Sequence, residues 1–256
     1  MQHIQYFYIT KRHFISIVLC AVLQFSHAQS KVEQIELNIE FRVFSLDRKS
    51  IDGLFYQIEP DEIAPLRFHS RQRSEPHRYR GPQVVSFYTK NPSTADNASP
   101  YIIAGSVEIT PDLKEPLVFF LPIQSSDPDE SNGYRIIAMD DSHESFPYGH
   151  VRVLNACGAP LSGQVGNQGL RLGFEVSPAW SSRSLFSREG QWVNLALFIQ
   201  IRDDYELVYA NQLTFESEAR SILVVRPPRR KNSLRVVTYI LEDFPEPDNP
   251  LQANSR

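Results

Sequence analysis

Only two cysteines occur in the 256 residues, and one of them, Cys20, falls in a segment that reads as a removable leader. Cys157 is then the only thiol, so no intrachain disulfide is expected and packing must hold the fold. Strong charge is missing as well. A formal net charge of −4 argues against a nucleic-acid partner, whose phosphates call for clustered lysine and arginine. No apolar run approaches the roughly 20 residues that a membrane-spanning helix needs, so no transmembrane segment is expected in the mature chain.

Helical signals are also scarce. No segment sustains a 3.6-residue apolar rhythm with caps at its ends, which excludes a helical bundle. Enzyme motifs are missing too: there is no Gly-x-Ser-x-Gly elbow, no His-Glu-x-x-His, no phosphate loop and no dinucleotide fingerprint. Nothing implies a cofactor. The paired carboxylates of a glycosidase would come from distant strands and leave no local trace, so catalysis is disfavoured rather than excluded.

What is present begins with an export signal. Lys11, Arg12 and His13 precede an apolar run of twelve residues at 14–25, and Ser26-His27-Ala28 sets small residues before Gln29, the layout a leader peptidase reads. Leu19, standing where a lipoprotein signal wants a small residue, argues against anchoring through Cys20. Loss of Lys11 and Arg12 leaves 24 of the 26 basic side chains against 30 acidic ones, a net of −6. The expected location is periplasmic or extracellular.

Behind the leader the chain reads as strands. Ile35, Leu37, Ile39, Phe41 and Val43 alternate with polar residues, the period of a sheet with one wet face. Asp52-Gly53 is a turn signal, and Leu54-Phe55-Tyr56-Gln57-Ile58 is expected to return as its hairpin partner. A second hairpin is expected from 192–201, turning at Arg202-Asp203-Asp204 into 205–210. Tyr148-Gly149-His150 leads into Val151-Arg152-Val153-Leu154, which aligns loosely with the strand after Gly81-Pro82.

One pattern occurs twice. Leu117-Val118-Phe119-Phe120-Leu121-Pro122, followed by Tyr134-Arg135-Ile136-Ile137-Ala138-Met139, matches Ile222-Leu223-Val224-Val225-Arg226-Pro227, followed by Leu234-Arg235-Val236-Val237-Thr238-Tyr239. Four apolar residues closed by a proline make a short buried strand and a stop. The expected fold is all-β, with two immunoglobulin-like β-sandwich units in tandem and tightly packed; one larger pseudo-symmetric sandwich is the alternative. The corresponding division is a signal peptide at 1–28, units at 29–141 and 142–245, and a loose polar tail at 246–256.

Gly53-Leu54-Phe55-Tyr56, Tyr79-Arg80-Gly81-Pro82 with Phe87-Tyr88, and Phe146-Pro147-Tyr148-Gly149 with Asn155 resemble a family of exported bacterial β-rich proteins with no assigned activity. The resemblance covers most of the mature chain and supplies no catalytic residue.

Candidate sites rest on their own chemistry. Asp140, Asp141, His143, Glu144 and His150 place five metal- or proton-binding groups within eleven residues, though in no known ligand spacing and in what reads as a solvated loop. Asp127-Pro128-Asp129-Glu130-Ser131-Asn132-Gly133 has the alternating oxygens of a calcium loop but lacks its glycine and closing glutamate. Cys157, at the end of a strand, reads as a small apolar side chain rather than a nucleophile. Arg71 and Arg73 in one segment and Arg229 and Arg230 in another are anion-binding candidates if they share a surface. The competing reading is that such arginines guard edge strands against aggregation. The expected role is non-catalytic binding of an envelope or extracellular component, a protein or a glycan, with Tyr148, Trp180 or Trp192 contributing aromatic surface. A carbohydrate-active protein, binding or hydrolytic, is the alternative.

Overall fold

The computed structural model describes residues 36–46, 53–59, 62–69, 72–93, 99–122, 133–186, 192–230 and 233–245. The leader, the calcium-like oxygens at 127–132, Arg71 and the polar tail lie outside them. The first half of the fold comprises β1 (Glu36–Ser45), β2 (Leu54–Glu59), β3 (Glu62–Pro65), β4 (His77–Pro82), β5 (Val84–Lys90), β6 (Tyr101–Glu108), β7 (Pro116–Pro122) and β8 (Tyr134–Asp140). The second comprises β9 (His150–Asn155), β10 (Leu161–Val165), β11 (Gln168–Leu172), β12 (Trp180–Ser181), β13 (Val193–Ile201), β14 (Asp204–Leu213), β15 (Arg220–Arg226) and β16 (Val237–Asp243). A single helical turn, α1 (Ser182–Leu185), follows β12.

The strands form four sheets of four, ordered β4-β1-β7-β8 and β3-β2-β5-β6 in the first half, β12-β9-β15-β16 and β11-β10-β13-β14 in the second. Raising each first-half number by eight reproduces the second half. The correspondence extends to strand direction: β1 runs parallel to β7 with Val43 opposite Val118, and β9 runs parallel to β15 with Val153 opposite Leu223. The fold is therefore all-β and internally duplicated.

Each half closes its own core between its two sheets. Leu37, Phe41, Tyr56, Phe87, Val118 and Phe120 are among the residues that fill the first, and Val151, Val153, Leu161, Leu195, Leu197, Leu223 and Val225 the second. A third core lies between the halves, built from Phe44, Leu117, Phe119, Leu121, Ile137, Met139, Phe146, Leu154, Ile222 and Val224. Successive side chains of a strand point to opposite faces, so alternate residues of β7 and of β15 serve different cores. Both faces are dry, which is why these strands read as unbroken apolar runs. The layers thus stack as outer sheet, inner sheet, inner sheet, outer sheet, and the described residues from Glu36 onward belong to one compact unit.

Three sequence expectations are corrected. The Asp-Gly turn does not close a hairpin: β1 pairs with β4 and β7, whereas β2 pairs with β3 and β5. The chain crosses from one sheet to the other there, as sandwich connections do. The strand 150–155 corresponds to β1, because it holds the same place beside β15, and not to the strand after Pro82. Finally, Leu117 pairs with Met139 while Ile222 pairs with Leu241, so the last strand of the repeat lies two residues beyond the alignment drawn from sequence. A slip of two keeps every side chain on its own face, so alternation alone does not detect it. The second hairpin forms as expected, by β13 and β14.

A bulge is duplicated as well. The β5–β6 register shifts between Phe87 and Tyr88, and the β13–β14 register between Leu197 and Phe198. The extra residues, Ala104 and Val208, are both buried.

Candidate functional site

The five clustered titratable groups are each held separately. Asp140 Oδ1 accepts from the backbone N–H groups of Ser142 (3.0 Å) and Glu115 (3.2 Å). Burial alone would raise its pKa, but these bonds outweigh it and hold the carboxyl below the usual range. Glu144 pairs with Lys114 on the surface. The His143 ring lies 5.5 Å from that of Tyr148, and His150 Nδ1 is 3.2 Å from the Tyr148 carbonyl. Among the described residues no group of three or more His, Cys, Asp and Glu side chains could hold a metal ion.

Asp141 belongs to a different structure, a clamp joining the halves. Arg73 Nε and Nη2 donate to its two carboxylate oxygens at 2.7 and 3.0 Å, and Arg73 Nη1 lies 3.3 Å from Asp243. Arg220 donates from Nε to Asp243 at 3.1 Å and from Nη1 to the Asp141 carbonyl at 2.8 Å. Burial opposes the charge on Arg73, yet Asp141 and Asp243 more than compensate and raise its pKa. Beneath the clamp lies Phe146, fully buried, with the Arg220 and Arg152 guanidiniums 5.7 and 5.0 Å from its ring. Arg152 donates to the carbonyls of Asp140 and Ser145 at 3.0 and 2.9 Å, and burial lowers its pKa. The clamp is an architectural device: two arginines and two aspartates neutralise one another at the seam between the halves. Arg152, Arg220 and Asp243 belong to no motif that marks them as partners in the sequence. The signal was the β15–β16 register, where Arg220 faces Asp243, and the two-residue misalignment hid it.

The three described anion-binding candidates, Arg73, Arg229 and Arg230, do not converge. Arg73 is consumed in the clamp at the Asp243 end of β16, whereas Arg229 and Arg230 are exposed beyond Arg226, which faces Val237 at the other end. Seven residues of β16 separate the ends, on the order of 20 Å at 3.3 Å per residue. Arg78 and Arg80 stand on β4, an edge strand, paired with Glu40 and Glu36 on the wet face of β1. Charges on an edge strand discourage pairing with another chain. Arg226 and Arg229 instead border a cavity of about 630 Å³ with Phe44, Leu46, Tyr239 and Leu241.

Cys157 is half-buried against the second core, and its thiol donates to the Ala159 carbonyl at 3.3 Å. Burial pushes its pKa up, the opposite of an activated nucleophile. Of the three aromatic candidates, Trp180 packs on the second core and Tyr148 lies 5.2 Å from the Arg220 guanidinium, while Trp192 is 53% exposed.

The outer faces of the two outer sheets carry matching exposed apolar side chains. Tyr88 faces Ile103 and Lys90 faces Tyr101 across β5 and β6; at the equivalent places Phe198 faces Leu207 and Gln200 faces Tyr205 across β13 and β14. Ile103 is 67% exposed, Leu207 54% and Tyr205 51%. In both halves the exposed aliphatic residue directly precedes the buried bulge residue, so the bulge fixes which side chain is turned outward. Next to this apolar group on the second outer sheet lies a trough of about 440 Å³ lined by Gln164, Asn194, Ala196, Ala210, Asn211 and Gln212. The Gln212 amide donates to Asn194 Oδ1 at 3.1 Å, and the Asn211 amide to the Tyr209 hydroxyl at 3.2 Å.

The chain matches no family model, and no curated protein matches it either. The motif residues quoted for the exported bacterial family occupy turns and cores. Gly53 and Gly149 adopt positive φ of 83° and 76°, a conformation that favours glycine. Tyr79 donates its hydroxyl to the Pro82 carbonyl at 2.6 Å. Burial pushes the Tyr79 pKa up to about 12. The Asn155 amide nitrogen lies within 2.9, 3.3 and 2.6 Å of the carbonyls of Ala159, Leu172 and Gly173.

Proposed function

We propose that this chain is an exported, non-catalytic binding protein that engages an envelope or extracellular component through the solvent faces of its outer sheets. The observation carrying this reading is a duplicated apolar group: exposed Ile103 beside half-buried Tyr88 and Tyr101 on one outer sheet, exposed Leu207 and Tyr205 beside half-buried Phe198 on the other. Large apolar side chains grouped on a wet face mark interaction surfaces. The ionisable groups that could have served catalysis are tied into the clamp and the loop beside it, and this supports binding over hydrolysis. In the cavity lined by Glu40, Glu115 and Asp141, Glu40 pairs with Arg78 and Asp141 with Arg73. Export itself rests on the leader pattern of residues 11–28.

The test is co-sedimentation of the purified protein with cell-envelope fragments of the source organism, beside the Ile103→Asp/Leu207→Asp double variant. The wild type is expected in the pellet and the variant in the supernatant. A wild type that stays in the supernatant, or a variant that pellets equally well, defeats the reading.

A further inference from the structure

We infer that the trough on the outer face of β10, β13 and β14 binds a neutral polysaccharide chain; this rests on, and specifies, the binding role proposed above. The chemistry of the lining carries the inference. Gln164, Asn194 and Gln212 each present a carboxamide on this face, with Ala196 and Ala210 between them; Asn211, paired with core-facing Leu195, turns its own amide to the Tyr209 hydroxyl on the other face. No ionisable side chain is among them, in a sequence that is 22% charged. A carboxamide offers two donors and an acceptor in one plane, which suits adjacent hydroxyl groups that both donate and accept. An anionic glycan or a charged peptide would find no counter-charge here.

The shape agrees with the chemistry. Ala196 faces Ala210 across the strands, so a short-side-chain floor lets a ligand approach the sheet closely. The Asn194–Gln212 pair bounds one end of this floor and the Phe198–Leu207 pair the other. Four residues along β13 separate these rows, roughly 13 Å at 3.3 Å per residue, the length of a short oligosaccharide. Phe198, Leu207 and Tyr205 supply apolar surface for the C–H faces of sugar rings, and Trp192 stands exposed two residues before Asn194. The equivalent floor of the first half is Ser86 facing Ser106, bounded by Val84 facing Glu108. The amide pair is thus specific to the second half, and the glycan site is assigned to that half alone.

The experiment is calorimetric titration of the purified protein with cellohexaose, laminarihexaose, mannohexaose and xylohexaose, with hexagalacturonate as the anionic comparison. At least one neutral hexasaccharide is expected to bind with a Kd below about 1 mM. Asn194→Ala/Gln212→Ala is expected to weaken that binding at least tenfold, and Gln164→Ala alone by a smaller factor. Arg78→Ala, on the edge strand of the first half, should leave it unchanged. All the substituted side chains are exposed, and an unchanged melting temperature confirms that the variants fold. Binding to none of the neutral hexasaccharides, binding to hexagalacturonate only, or full affinity in the double variant each overturns the inference. Envelope co-sedimentation that depends on Leu207 without any hexasaccharide binding overturns the glycan while the broader binding role stands.

Discussion

Arg73 grips both carboxylate oxygens of Asp141, 68 residues further along the chain, at 2.7 and 3.0 Å. Asp141 is almost fully buried and Arg73 about four-fifths so, so removing Asp141 leaves Arg73 only its longer contact with Asp243 at 3.3 Å. Breaking a buried pair costs about 3–5 kcal/mol; with Arg73 partly open to solvent, Asp141→Ala is expected to cost about 2–4 kcal/mol. Denaturant unfolding measures this, and a loss below about 1 kcal/mol, the level of a surface pair, would show that the clamp adds little.

Asn155 offers a second test. Its buried amide serves carbonyls on both sides of the β10–β11 hairpin, and its Oδ1 accepts from the Cys157 N–H at 3.0 Å. Asn155→Ala strands these groups, at about 1–3 kcal/mol for each one left unsatisfied. The expected total is about 3 kcal/mol because the turn relaxes in part. Asn155→Asp is expected to be at least as harmful, since it sets an acceptor against carbonyl oxygens. Equal midpoints for wild type and Asn155→Ala would count against this role.

His77 gives stability a pH dependence. Its ring lies 5.6 Å from Phe41 and 5.5 Å from Tyr56, and Nε2 donates to the Arg67 carbonyl at 3.0 Å. Burial lowers its pKa from 6.5, partly countered by that hydrogen bond. The folded protein therefore keeps His77 neutral while the unfolded chain takes up a proton. Its contribution is fully present above about pH 6.5 and is lost as pH falls toward the folded-state pKa. Melting temperature should decline between pH 7 and 5, and His77→Phe should flatten that decline. An equal slope in the variant would assign the effect elsewhere.

The exposed apolar residues should be nearly silent in stability. Ile103→Asp and Leu207→Asp are each expected to change unfolding free energy by no more than about 0.5 kcal/mol, as surface substitutions do. A loss above about 2 kcal/mol, in the range of core truncations, would mean that these side chains hold the bulges together rather than meet a partner.

The strands of this fold were legible where one physical demand acted alone. Alternation at Leu37, Phe41 and Val43 revealed β1, and the runs at 117–121 and 222–225 revealed strands dry on both faces. Partners were harder to read. Gly53 marks a turn, but whether the chain turns within a sheet or crosses to the other depends on which sheet has a vacant edge, and local residues do not encode that. The chemical roles were least legible: Asp141 and Glu144 are near neighbours in sequence, yet one faces a buried arginine and the other a surface lysine. The trough escaped notice because asparagine and glutamine scattered over three strands form no linear motif.

The third core, between the inner sheets, has a mechanical consequence. Because Leu117, Phe119, Ile222 and Val224 are shared property of both halves, the junction is a weld and not a hinge. The outer surfaces then ride on one stiff block about three sheet spacings thick, on the order of 30 Å at 10 Å each. The solvent faces of the two outer sheets are thus held a fixed distance apart, looking in opposite directions.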